Sequence, residues 1–120
     1  MAGTLIRQAE GESGQIAVGR LSDVLHITRA QLAVAAGLSC DAVSKTARAE
    51  SAATQARLRD VVEILQRVTP WAGSPLQAFA WYRAQPLPSF GDQTAEALVR
   101  VGRAEAVKQY LERVAAAGFA

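Results

Sequence analysis

Apolar side chains recur along most of the chain at three- and four-residue intervals, the spacing that keeps them on one face of a helix. The clearest case is 55–68, where Leu58, Val61, Val62, Leu65 and Val68 form a stripe, and Arg57, Arg59, Asp60, Glu63 and Arg67 fall mostly off it. Upstream, Ile16, Leu21, Val24, Leu25 and Ile27 predict a helix over 16–27 that has to accommodate Gly19. Thr28, with Gln31 three residues on, reads as a capping box opening a short helix that runs to Ala36. Gly37 breaks that helix, and Ser39 can cap another from Cys40 to the region of Ala49. Residues 51–54 read as a short linker of small and polar side chains. Residues 1–15, rich in Gly, Ser and Glu with only Leu5 and Ile6 as apolar anchors, read as a flexible arm.

The second half is punctuated by proline and glycine. The run Thr69-Pro70-Trp71-Ala72-Gly73 predicts a break, after which Ser74 caps a helix and Pro75 suits its first position. Leu76, Phe79, Trp81 and Tyr82 belong to that helix. Pro86 and Pro88 then force an extended segment, since each fixes its own φ and biases the preceding residue away from helix. Phe90-Gly91-Asp92 closes the segment with a turn that Gly91 can make at positive φ. Thr94 or Asp92 can cap the next helix, with Ala97, Leu98 and Val101 on one side and Gly102 as its stop. A last helix from Arg103 to the region of Ala116 carries Val107, Tyr110, Leu111 and Val114 on one face, with Gly118 beyond it as a stop. Glu63–Arg67 and Lys108–Glu112 are i, i+4 charge pairs. The pattern is all-α.

Composition narrows the function classes. The net charge is +2, from 13 basic and 11 acidic residues among 120, weak for a chain whose main partner is nucleic acid. Hydrophobic residues make up 50% of the chain, enough for a buried core, but aromatics are only 6%, and five of the seven fall between Trp71 and Phe90. Cys40 is the single cysteine and His26 the single histidine, so an intrachain disulfide, a zinc site and a histidine triad are all excluded for the chain alone. There is no phosphate-cradling glycine loop and no cofactor motif, so no enzyme is expected. No apolar run reaches the ~20 residues that span a membrane, and the default compartment is a reducing cytoplasm.

Two short helices joined by a glycine-containing turn over 28–49 have the form of a helix-turn-helix. Leu32, Ala36, Leu38, Val43 and Ala47 can form its core, and Ala33 lets the second helix approach closely. If that second helix enters a major groove, Ser39, Ser44, Lys45 and Arg48 are the candidate DNA-binding residues, with Cys40 and Asp41 on the same side. The same unit can instead serve dimerisation or packing, and the residues alone leave both uses open.

Trp81, the run from Pro86 to Gly91, Thr94, Leu98, Gly102, Val107, Leu111 and Gly118 resemble the C-terminal toxin-binding domain of the Xre/MbcA/ParS-type antitoxins. The resemblance covers residues 70–118 and, more loosely, the helix-turn-helix-like part before them. One departure is Ala95, where that family usually has proline after the threonine. The resemblance implies a type II antitoxin that pairs with a RES-domain toxin, an enzyme class acting on NAD, and occludes the toxin's cleft with its C-terminal region. It implies toxin-binding roles for Trp81, Phe90, Arg100, Arg103, Tyr110, Arg113, Gly118 and Phe119. It also implies a homodimer able to repress its own operon. The expected organisation is an arm over 1–15, a helix-turn-helix-like unit over 16–69 and a small helical toxin-binding domain over 70–120. The alternatives are a stand-alone helix-turn-helix repressor and a helical adaptor.

Overall fold

A computed structural model describes residues 4–11, 15–44 and 49–117. The chain is all-α. In order, the elements are α1 (Thr4–Ala9), α2 (Val18–Leu25), α3 (Arg29–Ala36), α4 (Cys40–Ser44), α5 (Ala52–Ala72), α6 (Pro75–Ala84), a 3-10 turn (Pro88–Phe90), α7 (Ala95–Arg100) and α8 (Ala104–Ala116). The 21-residue α5 is the axis on which the others pack: α1, α3, α6 and α8 all lie against it. Leu58, Val61, Val62, Ile64, Leu65 and Val68 are fully buried along it, five of them at the stripe positions the sequence predicts.

The helix ends follow local chemistry. Thr28 forms the capping box with Gln31, its hydroxyl accepting from the Gln31 amide while the Gln31 side chain accepts from the Thr28 amide. Ser51, Ser74 and Thr94 accept in the same way from the third residue of α5, α6 and α7. Thr94, not Asp92, is therefore the cap of α7. Asp92 instead sits in the left-handed region at φ 65° within the turn that Gly91 opens at φ 66°.

Four expectations give way to tertiary structure. Residues 4–9 of the segment read as an arm form α1, with Leu5 and Ala9 in the core, and the Ala17 amide donates to the Ala9 carbonyl. The residues read as a 51–54 linker are the cap and first turn of α5. The break expected at 69–73 does not occur where Pro70 stands: α5 continues through it to Ala72 and ends at Gly73, φ 105°. Proline removes one ladder donor near the helix end. The Thr69 hydroxyl donates to the Leu65 carbonyl at 2.7 Å within the helix, and Trp71 packs edge-on against Trp81 of α6 at 6.2 Å, which holds the last turn from outside. Finally, Val101 does not share the buried side of α7; the helix ends at Arg100 and Val101 is 68% exposed.

The 16–69 and 70–120 segments meet in one core. Tyr82 of α6, fully buried, donates its hydroxyl to the Ala35 carbonyl of α3 at 2.6 Å. Arg57 of α5 donates to the Val99 carbonyl at 2.6 Å and to the Ala36 carbonyl at 3.5 Å, bridging the C-terminal ends of α7 and α3. A cation there faces the negative pole of both helices.

Candidate functional site

Three of the residues assigned by resemblance to toxin binding come together at the C-terminal end of the fold. The double-proline segment folds back through the Leu87–Gln93 bridge, with Leu87 buried as its anchor. This presents Phe90 to α8. The Phe90 and Tyr110 rings meet edge to face at 5.8 Å, and the Arg103 guanidinium lies over the Phe90 ring at 5.4 Å. Phe90 and Tyr110 are half-buried, and Arg103 is exposed. Val101 stands exposed two residues before Arg103, beyond the helix end. The result is a basic-aromatic surface with an apolar neighbour, of the residue types enriched at interface anchors.

The other candidates lie elsewhere. Arg100 is exposed at the end of α7, where its Cα packs against the Gly37 turn of the helix-turn-helix unit. Arg113 is exposed near the end of α8. Trp81 sits on α6, half-buried against Trp71. Gly118 and Phe119 lie outside the described residues.

What holds α8 in place was not foreseen from sequence. Lys108 is buried, 7% exposed, and donates to Asp60 at 2.8 Å and to Glu63 at 2.6 Å, with Glu105 at 3.5 Å. It therefore does not pair with Glu112, which instead meets Arg67 at 3.3 Å. Nor do Arg67 and Glu63 pair through their side chains: Arg67 donates to the Glu63 backbone carbonyl. Burial pushes the Lys108 pKa down, but its hydrogen bonds to Asp60 and Glu63 outweigh that and leave it above the ordinary lysine value. The only sequence signal was the position of Lys108 beside Val107 and next to the stripe.

At the other end, α3 and α4 pack together about Gly37, φ 69°, with Leu32, Ala33, Ala36 and Val43 buried and Leu38 partly so. Ser39, Cys40, Asp41 and Ser44 are exposed. The Ser39 hydroxyl accepts from the Ala42 amide at 3.2 Å, so part of its capacity goes to starting α4. Lys45, Arg48 and Ala47 lie outside the described residues. His26 is exposed and ends α2 at φ 58°. Among the described residues, no three His, Cys, Asp or Glu side chains are placed to hold a metal ion, and no helix is long and apolar enough to cross a membrane. No family model matches the chain, and no curated protein or solved structure matches it either.

Proposed function

We propose that the chain is the antitoxin of a type II toxin-antitoxin pair, a binding protein rather than an enzyme, working in the cytoplasm. Its C-terminal region would cover the NAD-binding cleft of a RES-domain toxin. The observation that carries this reading is the Phe90–Arg103–Tyr110 cluster beside exposed Val101. It sits on the segment whose residues resemble the toxin-binding domain, and it offers a cation, two half-buried rings and an apolar side chain to a partner. A homodimer would present that surface twice.

The experiment is co-expression with a RES-domain protein encoded beside this chain, followed by size-exclusion chromatography and an NAD-turnover assay. A stable complex with suppressed turnover is expected. Val101→Glu and Arg103→Glu should release the suppression while the variants stay folded. Removal of residues 118–120 tests the contribution of Gly118 and Phe119. Deleting from residue 103 would be uninformative, because it takes Val107, Lys108 and Leu111 out of the core. Turnover unaffected by the intact chain would overturn the proposal.

A second reading has its own observation. The α3–Gly37–α4 unit leaves Ser39, just before α4, and Ser44, at its end, both exposed, as a groove-reading element needs. On that reading the chain is a helix-turn-helix repressor, alone or of its own operon. Binding to its promoter, falling steeply with salt and weakened by Lys45→Ala or Arg48→Ala, is the expected result.

A further inference from the structure

We propose that the exposed Trp71–Trp81 surface is the docking site of this chain's own Phe119, which closes the end of the α5–α8 interface.

The ion pairs between the two helices fix how they run. Lys108 meets Asp60 and Glu63, and Glu112 meets Arg67. Residue numbers rise together along both helices, so α8 lies parallel to α5 with Glu112 level with Arg67. Asp60, Glu63, Arg67 and Trp71 follow one another at three- and four-residue spacing and therefore share one face of α5. That face is continuous to its end, because α5 runs through Pro70 to Ala72. One turn beyond the Arg67–Glu112 pair, Trp71 is level with Ala116, the last residue of α8. The helix brings nothing large there. Ala115, Ala116 and Ala117 are all small and exposed, and Trp71 is left 38% exposed beside half-buried Trp81.

The first side chain larger than alanine after Val114 is Phe119. Gly118 and Phe119 lie outside the described residues, and the described backbone delivers them to this place. Ala117 caps α8, its amide donating to the Arg113 carbonyl at 3.0 Å. Gly118 follows that cap, where glycine lets a helix end by turning into the left-handed region. Such an ending carries the second residue after the cap back towards the third residue before it. Here that brings Phe119 towards Val114, which is half-buried and continues the buried stripe of Val107 and Leu111. Two residues span at most ~7 Å, which suffices for Trp71 at the level of the helix end. Tyr110 lies about 10 Å back along α8. A third ring on an exposed aromatic pair buries apolar area and adds ring-edge contacts.

Docked there, Phe119 belongs to the fold of the free chain. On the antitoxin reading, a toxin cleft that takes Phe119 has to draw it off the tryptophans. The docking itself concerns the chain alone and does not depend on that reading.

The test is nuclear magnetic resonance on the full-length, isotope-labelled chain without a partner. With two tryptophans there are two indole N–H signals, and Trp71→Phe assigns them. Nuclear Overhauser contacts from the Phe119 ring to the Trp71 indole and the Val114 methyl groups are expected. Phe119→Ala should displace the Trp71 indole signal while leaving the Leu21 amide, in the core of α2, where it was. Gly118→Val keeps the ring but opposes the left-handed turn, and should move the same indole signal. Missing contacts together with an indole signal unmoved by Phe119→Ala would overturn the proposal. So would contacts from Phe119 to Phe90 and Tyr110 instead, which would place it on the basic-aromatic surface. An indole signal that follows protein concentration and ignores Phe119→Ala would also overturn it, and would assign the surface to a second copy of the chain.

Discussion

The Tyr82 hydroxyl reaches across the core to the Ala35 carbonyl at 2.6 Å. That carbonyl belongs to the last turn of α3, where the helix has no amide of its own left to answer it. Tyr82 therefore completes the first helix of the helix-turn-helix unit from the opposite half of the chain. Burial, with the charges of Glu96 and Asp60, pushes the tyrosine pKa well up, so the hydroxyl remains a donor at any ordinary pH. Tyr82→Phe keeps the ring and its stack on Phe79 but leaves the carbonyl dry and unpaired. The expected cost is about 1–2 kcal/mol in urea denaturation, with helicity unchanged at 25 °C in a far-ultraviolet circular dichroism spectrum.

Gly37 is required twice over. Its φ of 69° disfavours any side chain, and a Cβ there would sit 3.0 Å from the Arg100 Cα and 3.1 Å from the Arg57 Nη1. The first of these contacts is backbone and cannot swing aside. Gly37→Ala should destabilise by roughly 1–3 kcal/mol. The same change at Gly91, also at positive φ but with nothing within 4 Å, should cost less. Paired thermal melts of the two variants check the difference.

Lys108 makes stability depend on pH at the alkaline end. Its folded pKa is raised, so the stabilisation it adds is fully present below the unfolded value of 10.5 and is lost as pH rises through the folded one. Urea midpoints should fall above that value in the native chain and fall less in Lys108→Met. Below it, Lys108→Met should cost roughly 1–3 kcal/mol, because Asp60 and Glu63 are left facing each other; their partial exposure limits the penalty.

The basic-aromatic surface should tolerate change without unfolding. Arg103→Glu removes the cation over Phe90, an interaction of about 0.5–1 kcal/mol at an exposed site. Its melting temperature should move little while capture of a RES-domain partner drops sharply. A pull-down set beside a thermal melt distinguishes loss of surface from loss of fold.

Local chemistry was legible in the sequence. Thr28, Ser74 and Thr94 cap where side-chain rules place them, and Gly37 and Gly91 turn where positive φ is needed. The stripe of α5 was readable because burial follows helical period. What could not be read depends on partners far along the chain. Pro70 looks like a break until Trp71 is seen against Trp81. Lys108 looks like a surface lysine until α8 is laid on Asp60 and Glu63. Leu5 looks isolated until α1 docks on α5. In the candidate site, Phe90 and Tyr110 lie twenty residues apart in sequence, and only the fold back at Leu87 brings their rings together.

Arg57 joins the carbonyl ends of α3 and α7 with one guanidinium. Because the two helices come from opposite sides of the expected boundary at residue 69, neither side holds a complete set of its own bonds. A fragment ending at that boundary would lose the Val99 carbonyl, the Tyr82 hydroxyl and the Arg100 backbone that closes on Gly37. The chain is thus poorly suited to dissection. A protease that nicks the exposed Gly91–Gln93 turn should leave two pieces that stay associated, and neither should refold once they are separated in denaturant.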